Sequence, residues 1–125
     1  MITAGEFFAA KRRRQNPKEA AHHHSVYVIE LDAKVLKDRK FRAANKACDP
    51  AKACFYVGST GMSPQMRFIN HQRGYKGNKY VRRFGLHLRP DLYEVYNPLP
   101  WEAAVELEAE LAQALREQGH AVWQA

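Results

Sequence analysis

Trp101-Glu102-Ala103-Ala104-Val105-Glu106-Leu107-Glu108-Ala109-Glu110-Leu111-Ala112-Gln113-Ala114-Leu115-Arg116-Glu117-Gln118 reads as a single amphipathic helix. At about 100° per residue, Glu102, Glu106, Glu110 and Glu117 fall on one face together with Gln113, as expected of a solvated face. Glu108 is out of phase with that set and lies among Ala104, Leu111 and Leu115. A carboxylate on an apolar stripe is costly unless something pairs with it. The plainer reading is a buried acid neutralised by Arg67 or another cation. The sharper one is an ionised acid that holds a metal ion. In either case the apolar stripe needs a surface to cover.

The rest of the chain supplies that surface as a sheet. Ser25–Leu31 is rich in β-branched and aromatic residues and predicts a strand, as does Phe55–Gly58, which runs into Ser59-Thr60-Gly61. Ser63-Pro64 predicts a helix start, because serine caps free amides and proline is tolerated at the first helical position; the helix reaches about Arg73, and Gly74 can end it. Asn78 is placed to cap a short helix from Lys79 to Phe84, closed by Gly85. Asp91–Tyr96 alternates and is expected to be the third strand, before the stiff turn Asn97-Pro98-Leu99-Pro100. Ala121-Val122-Trp123 is either a last short strand or a packed tail. The fold class is therefore α+β, with a small three-stranded antiparallel sheet flanked by helices. Residues 25–125 form this domain, and residues 1–24 form a basic arm carrying Lys11-Arg12-Arg13-Arg14.

The 125 residues suit one domain with a modest core. The net charge of +7 favours an anionic partner, most commonly nucleic acid. No run approaches the roughly 20 apolar residues of a membrane helix, and no signal peptide is recognisable, so a cytoplasmic location is expected. Cys48 and Cys54 are then expected to be free thiols, and their spacing does not complete a zinc site. His22, His23 and His24 are adjacent and cannot all face one ion, so a loop is expected there. His87 and His120 read as structural or exposed.

Arg67 and His71 lie four apart on the Ser63–Arg73 helix and point the same way. Arginine can fork onto phosphate oxygens, and histidine can donate to a phosphate or move a proton. Tyr27 and Tyr56 stand on successive strands, where a phenol can order a water. Taken singly, each is more simply a packing or surface residue. Together with Glu108 they form the set that metal-assisted phosphodiester cleavage uses.

These residues resemble the GIY-YIG nucleases. Val26-Tyr27-Val28 is similar to the GIY element and Tyr56-Val57-Gly58 to the YIG element. Arg67-Phe68-Ile69-Asn70-His71 resembles the arginine helix, and Ala104 to Leu111 the helix whose Ala-x-x-Leu-Glu-x-x-Leu pattern selects Glu108. The resemblance spans about Ser25 to Gln124. It implies a metal-dependent endonuclease that hydrolyses DNA phosphodiester bonds, with DNA repair as a setting. Glu108 would ligate Mg²⁺ or Mn²⁺, and Tyr27 would be the general base or would position the water. Tyr56 would orient water or phosphate, Arg67 would stabilise the pentavalent phosphate, and His71 would support it. The chain departs from the pattern in having Ser25 for the first glycine and a longer connection, Asp32–Ala53. Gln124 is the nearest candidate for a late asparagine.

Asp32–Ala53 holds Lys34, Lys37, Arg39, Lys40, Arg42, Lys46 and Lys52, with a helical turn expected around Arg39 to Lys46. Lys76, Lys79, Arg82 and Arg83 follow the arginine helix and could track a phosphate backbone, with Tyr75 or Tyr80 stacking on an unpaired base. Gly58 and Ser59 complete the expected substrate contacts. No second DNA-reading domain is visible, so selection for branched or single-stranded DNA shape, or recruitment by a protein partner, is expected over sequence-specific cutting. The alternative is a nucleic-acid-binding module on the same fold without catalysis.

Overall fold

The computed structural model describes residues 22–125. The basic cluster Lys11–Arg14 and most of the expected N-terminal arm lie outside the described residues. His24, assigned to that arm, exchanges two backbone hydrogen bonds with Leu99, at 2.9 and 2.7 Å.

Four strands form one sheet in the order β3-β1-β2-β4: β1 is Ser25–Leu31, β2 Cys54–Thr60, β3 Gly85–Leu88 and β4 Ala121–Gln124. The first two pair antiparallel, with Tyr27 opposite Gly58 and Ile29 opposite Tyr56. The third pairs antiparallel with β1, and the fourth runs parallel to β2, with Val57 beside Gln124. The α+β class stands, but the expected three-stranded antiparallel sheet is corrected to a four-stranded mixed one. Two local causes account for the difference. Asp91–Tyr96, expected as a strand, forms two 3₁₀ turns, Pro90–Leu92 and Glu94–Tyr96. Its buried residues Tyr93 and Tyr96 lie three positions apart, so the apparent alternation is a 3₁₀ period. The third strand instead grows directly from Gly85. The fourth strand becomes possible because Gly119, at φ 98°, turns the chain back after the long helix.

Four α-helices clothe the sheet: α1 Arg39–Ala43, α2 Pro64–Arg73, α3 Lys79–Phe84 and α4 Trp101–Glu117. Their ends follow the expected chemistry. Ser63 accepts from Met66 N–H at the start of α2, Gly74 closes it, and Asn78 caps α3. Trp123 stacks on Phe41 of α1 and meets Tyr80 of α3 edge-on, so these helices cover the face bearing Tyr27 and Tyr56. The long helix α4 covers the other face, burying Ala103, Ala104, Leu107, Leu111, Ala112 and Leu115.

Two asparagines close backbone groups that strand pairing leaves open. Asn45 accepts from Val122 N–H at 2.8 Å and donates to Val122 C=O at 3.1 Å, sealing the outer edge of β4. Asn97 does the same for Val26 on β1, at 2.9 and 2.8 Å. A side-chain amide with one donor and one acceptor here stands in for a missing strand. No helix among the described residues is long and apolar enough to cross a membrane.

Candidate active site

Strand alternation places Tyr27, Tyr56 and Gly58 on one face of the β1–β2 pair. A Cβ on Gly58 would sit 2.6 Å from Tyr27 Oη, so the glycine is the notch over which the phenol lies. This gives Gly58 a packing role in addition to the expected substrate contact.

The Tyr27 hydroxyl lies 2.8 Å from His71 Nε2, and both residues are fully buried. The direction of that bond follows from the other ring nitrogen. Asn78 N–H, which can only donate, points at His71 Nδ1 from 2.9 Å. Nδ1 is therefore the acceptor, and a neutral ring carries its proton on Nε2 and donates it to Tyr27. Burial, with help from Arg67, pushes His71 down to about 4, so the neutral ring is the resting form. Tyr56 lies beside Tyr27, with ring centroids 6.2 Å apart. Their interaction raises the Tyr27 pKa and lowers that of Tyr56. Burial is nevertheless the largest influence on both phenols and raises both above their ordinary range. The result is a directed chain running from Asn78 N–H through His71 to Tyr27, with the Tyr56 ring packed against both Tyr27 and His71.

Arg67 acts on Tyr27, Tyr56 and His71 electrostatically. Its guanidinium also donates to the carbonyls of Lys76, at 2.7 Å, and Tyr75, at 3.4 Å, so it clasps the loop after α2.

Glu108 is 8% exposed, as its helical phase predicts, while Glu102, Glu106 and Glu117 lie on the exposed side. Ser59 Oγ donates to one carboxylate oxygen and Gln124 Nε2 to the other, each at 3.0 Å. Among the described residues no basic side chain forms an ion pair with it, so the expected neutralisation by Arg67 is absent. Glu108 reaches Tyr56 electrostatically, raising its pKa. Four expected residues, Tyr27, Tyr56, Arg67 and His71, thus form one cluster. Glu108 adjoins it from the α4 side of β2.

A carboxylate held by two neutral donors has lone pairs to spare. That suits a hard ion such as Mg²⁺, which takes one or two protein carboxylates and keeps its waters. Among the described residues no group of three or more His, Cys, Asp or Glu gathers, so a zinc-type ligand set does not fit. Cys48 and Cys54 are free thiols, and burial pushes Cys54 up to about 11.

Of the expected substrate contacts, Lys76, Lys79, Arg82 and Arg83 are exposed, and Ser59 is half-buried against Glu108. Tyr75 is 61% exposed. Tyr80 is buried and donates to Asp38 at 3.0 Å, so it is a core residue unavailable for stacking. Sequence reasoning gave Gln124 little place and saw Asn78 only as a helix cap, not as the partner of His71. The first gains its role from the parallel β4 pairing, and the second through a backbone amide, which no side-chain motif signals. No family model, curated protein or solved structure matches the chain.

Proposed function

We propose that this protein is a divalent-metal-dependent endonuclease of GIY-YIG type that hydrolyses DNA phosphodiester bonds, selecting structure over sequence. The observation that carries the reading is Glu108. It is a nearly buried carboxylate with two neutral donors and, among the described residues, no ion-pair partner, and it acts electrostatically on Tyr56 of the Tyr27–Tyr56–His71 cluster. A purely structural acid at that position would be expected to have a basic partner.

In this reading Glu108 holds Mg²⁺ or Mn²⁺, and the bound ion supplies Lewis-acid stabilisation of the phosphate and a more acidic water. Ser59 and Gln124 fix the carboxylate's orientation. Tyr56 meets the attacking water, because Glu108 acts on it and not on Tyr27. Tyr27, whose oxygen already accepts from His71, acts by positioning the Tyr56 ring beside it. This reverses the roles expected for the two tyrosines from the resemblance. Arg67 offsets charge that develops on the phosphate while holding the Tyr75–Lys76 loop, and exposed Lys76, Lys79, Arg82 and Arg83 track the strand.

The test is cleavage of labelled single-stranded, duplex, flap and branched DNAs with Mg²⁺, Mn²⁺ or EDTA, beside Glu108→Ala. Metal-dependent scission lost in the variant is the expected result. Equal scission by both proteins overturns Glu108 as the metal ligand. Salt-sensitive binding by both, with scission by neither, replaces catalysis with a binding module on the same fold.

A further inference from the structure

The Asp32–Ala53 connection has no part in the site above, yet it is strongly basic. It contains seven cations, Lys34, Lys37, Arg39, Lys40, Arg42, Lys46 and Lys52, against three acids, Asp32, Asp38 and Asp49. Each acid's side chain is engaged by a hydrogen bond within or beside the segment. Asp32 accepts from Lys34 N–H and Asp49 from Ala51 N–H, both at 2.9 Å. Asp38 accepts from Phe41 N–H and from the Tyr80 hydroxyl, at 2.9 and 3.0 Å. The cations are left facing out. Lys37, Arg39, Arg42 and Lys46 line an open hollow of about 870 Å³, floored by Leu36 and Pro50 among others, with no carboxylate in its walls.

The hollow is firmly built. Phe41 anchors its helix against Tyr80 and Trp123, with ring centroids 5.3 and 6.2 Å apart. Asn45 ties its far wall to Val122 by two hydrogen bonds and makes a third to Phe41 C=O. Its lining contains no aromatic side chain, so nothing there can stack on a base. It also adjoins the basic α3. The Tyr80–Asp38 bond joins the two, and Lys79 lies close enough to lower the Asp38 pKa. Lys79, Arg82 and Arg83 along α3 lead back to the loop that Arg67 clasps. Cations without acids, without aromatics and on a fixed frame recognise a run of phosphates rather than bases.

We propose that the residue 33–50 segment is a second nucleic-acid contact, a groove that grips the phosphate backbone of a strand leaving the candidate site along α3. The inference rests on the nucleic-acid half of the proposed function but not on cleavage.

The test is binding of a labelled single strand in EDTA, where no metal-dependent cleavage occurs, across a salt series. It compares the full chain with the triple variant Arg39→Gln, Arg42→Gln, Lys46→Gln. All three side chains are exposed, and an unchanged thermal melt checks the fold. Loss of three phosphate contacts should lower the slope of log K against log salt by about 2, at roughly 0.7 per contact. Cleavage at saturating DNA by the same variant, where wild type cleaves, should be unchanged. An unchanged salt slope overturns the groove, whatever Glu108 does. A changed slope in a protein that never cleaves upholds the groove and removes only the nuclease. Retained DNA affinity with loss of polyglutamate binding would overturn nucleic acid as the occupant.

Discussion

On one side of β2, Tyr27, Tyr56 and His71 hold one another in a buried cluster of neutral groups. On the other, Glu108 is held by a serine and a glutamine. Both sets are buried and both are satisfied, but by different means. The tyrosine side meets the cost of desolvation by staying uncharged: the histidine is pushed well below its ordinary pKa and both phenols above theirs. The carboxylate side keeps two donor bonds and, among the described residues, no ion-pair partner. The first arrangement is complete without a ligand. The second has lone pairs that a cation would take, and its effect on Tyr56 links the two.

The largest expected effect separates the two phenols. Tyr56→Phe removes the hydroxyl proposed to meet the attacking water. It should lower cleavage by about 10²–10⁴-fold, the range for a positioned acid–base group, with little change in melting temperature. Tyr27→Phe strips the acceptor from the His71 Nε2–H in a fully buried setting. It should cost about 1–3 kcal/mol of stability, read by denaturant unfolding. Equal stability losses with equal activity losses would mean that the two phenols do not have separate roles.

Gly58→Ala strikes the tyrosine side alone. The new Cβ would lie 2.6 Å from Tyr27 Oη and 2.7 Å from its ring carbon Cζ, too close for any contact. The phenol must shift, and overpacking of this kind costs about 1–3 kcal/mol. For a domain of this size each kcal/mol lowers the melting temperature by roughly 4 °C or more. An unchanged melt would show that Tyr27 has another place to go.

How far the sequence carried these assignments differs between the two sides in the same way. Helical phase alone isolated Glu108 and predicted its burial, because an α-helix of regular period fixes which face each residue takes. The caps at Ser63 and Asn78 and the stop at Gly74 were equally legible, since each is local chemistry. What was hidden depended on distant pairing. The role of Gln124 follows from a parallel strand that exists only once Gly119 has turned the chain and Asn45 has sealed its edge. The 3₁₀ turns of Pro90–Tyr96 imitate strand alternation over six residues, and only the burial of Tyr93 and Tyr96 separates the periods. The direction of the His71–Tyr27 bond required a backbone amide from Asn78.

Ser59→Ala tests the carboxylate side more gently. Glu108 stays, with Gln124 still bound, but one oxygen loses its donor. Removing such a supporting group typically weakens a metal site by about 10–100-fold. The activating metal concentration should rise by that factor, while the rate at saturating metal changes less. A fall in the saturated rate with an unchanged metal requirement would mean that Ser59 touches the substrate instead, the role first expected of it.

The smallest effect is a pH dependence that belongs to His71. The unfolded chain takes up a proton on this ring near pH 6.5, while the folded protein refuses it until about 4. Stability from this residue is therefore complete above pH 6.5. It declines as the pH falls toward 4, because over that window the unfolded state binds more protons. Protonation would also convert Nδ1 from acceptor to donor and set it against Asn78 N–H, with Arg67 close by. Melting temperatures across this window should fall more steeply for the wild type than for His71→Asn, which starts lower but lacks the titrating ring. The difference between the two curves isolates the contribution of His71 from that of the rest of the chain. Parallel curves would mean that the folded protein accepts the proton as readily as the unfolded chain does. The Nε2–H tautomer, and with it the direction of the bond from His71 to Tyr27, would then be lost.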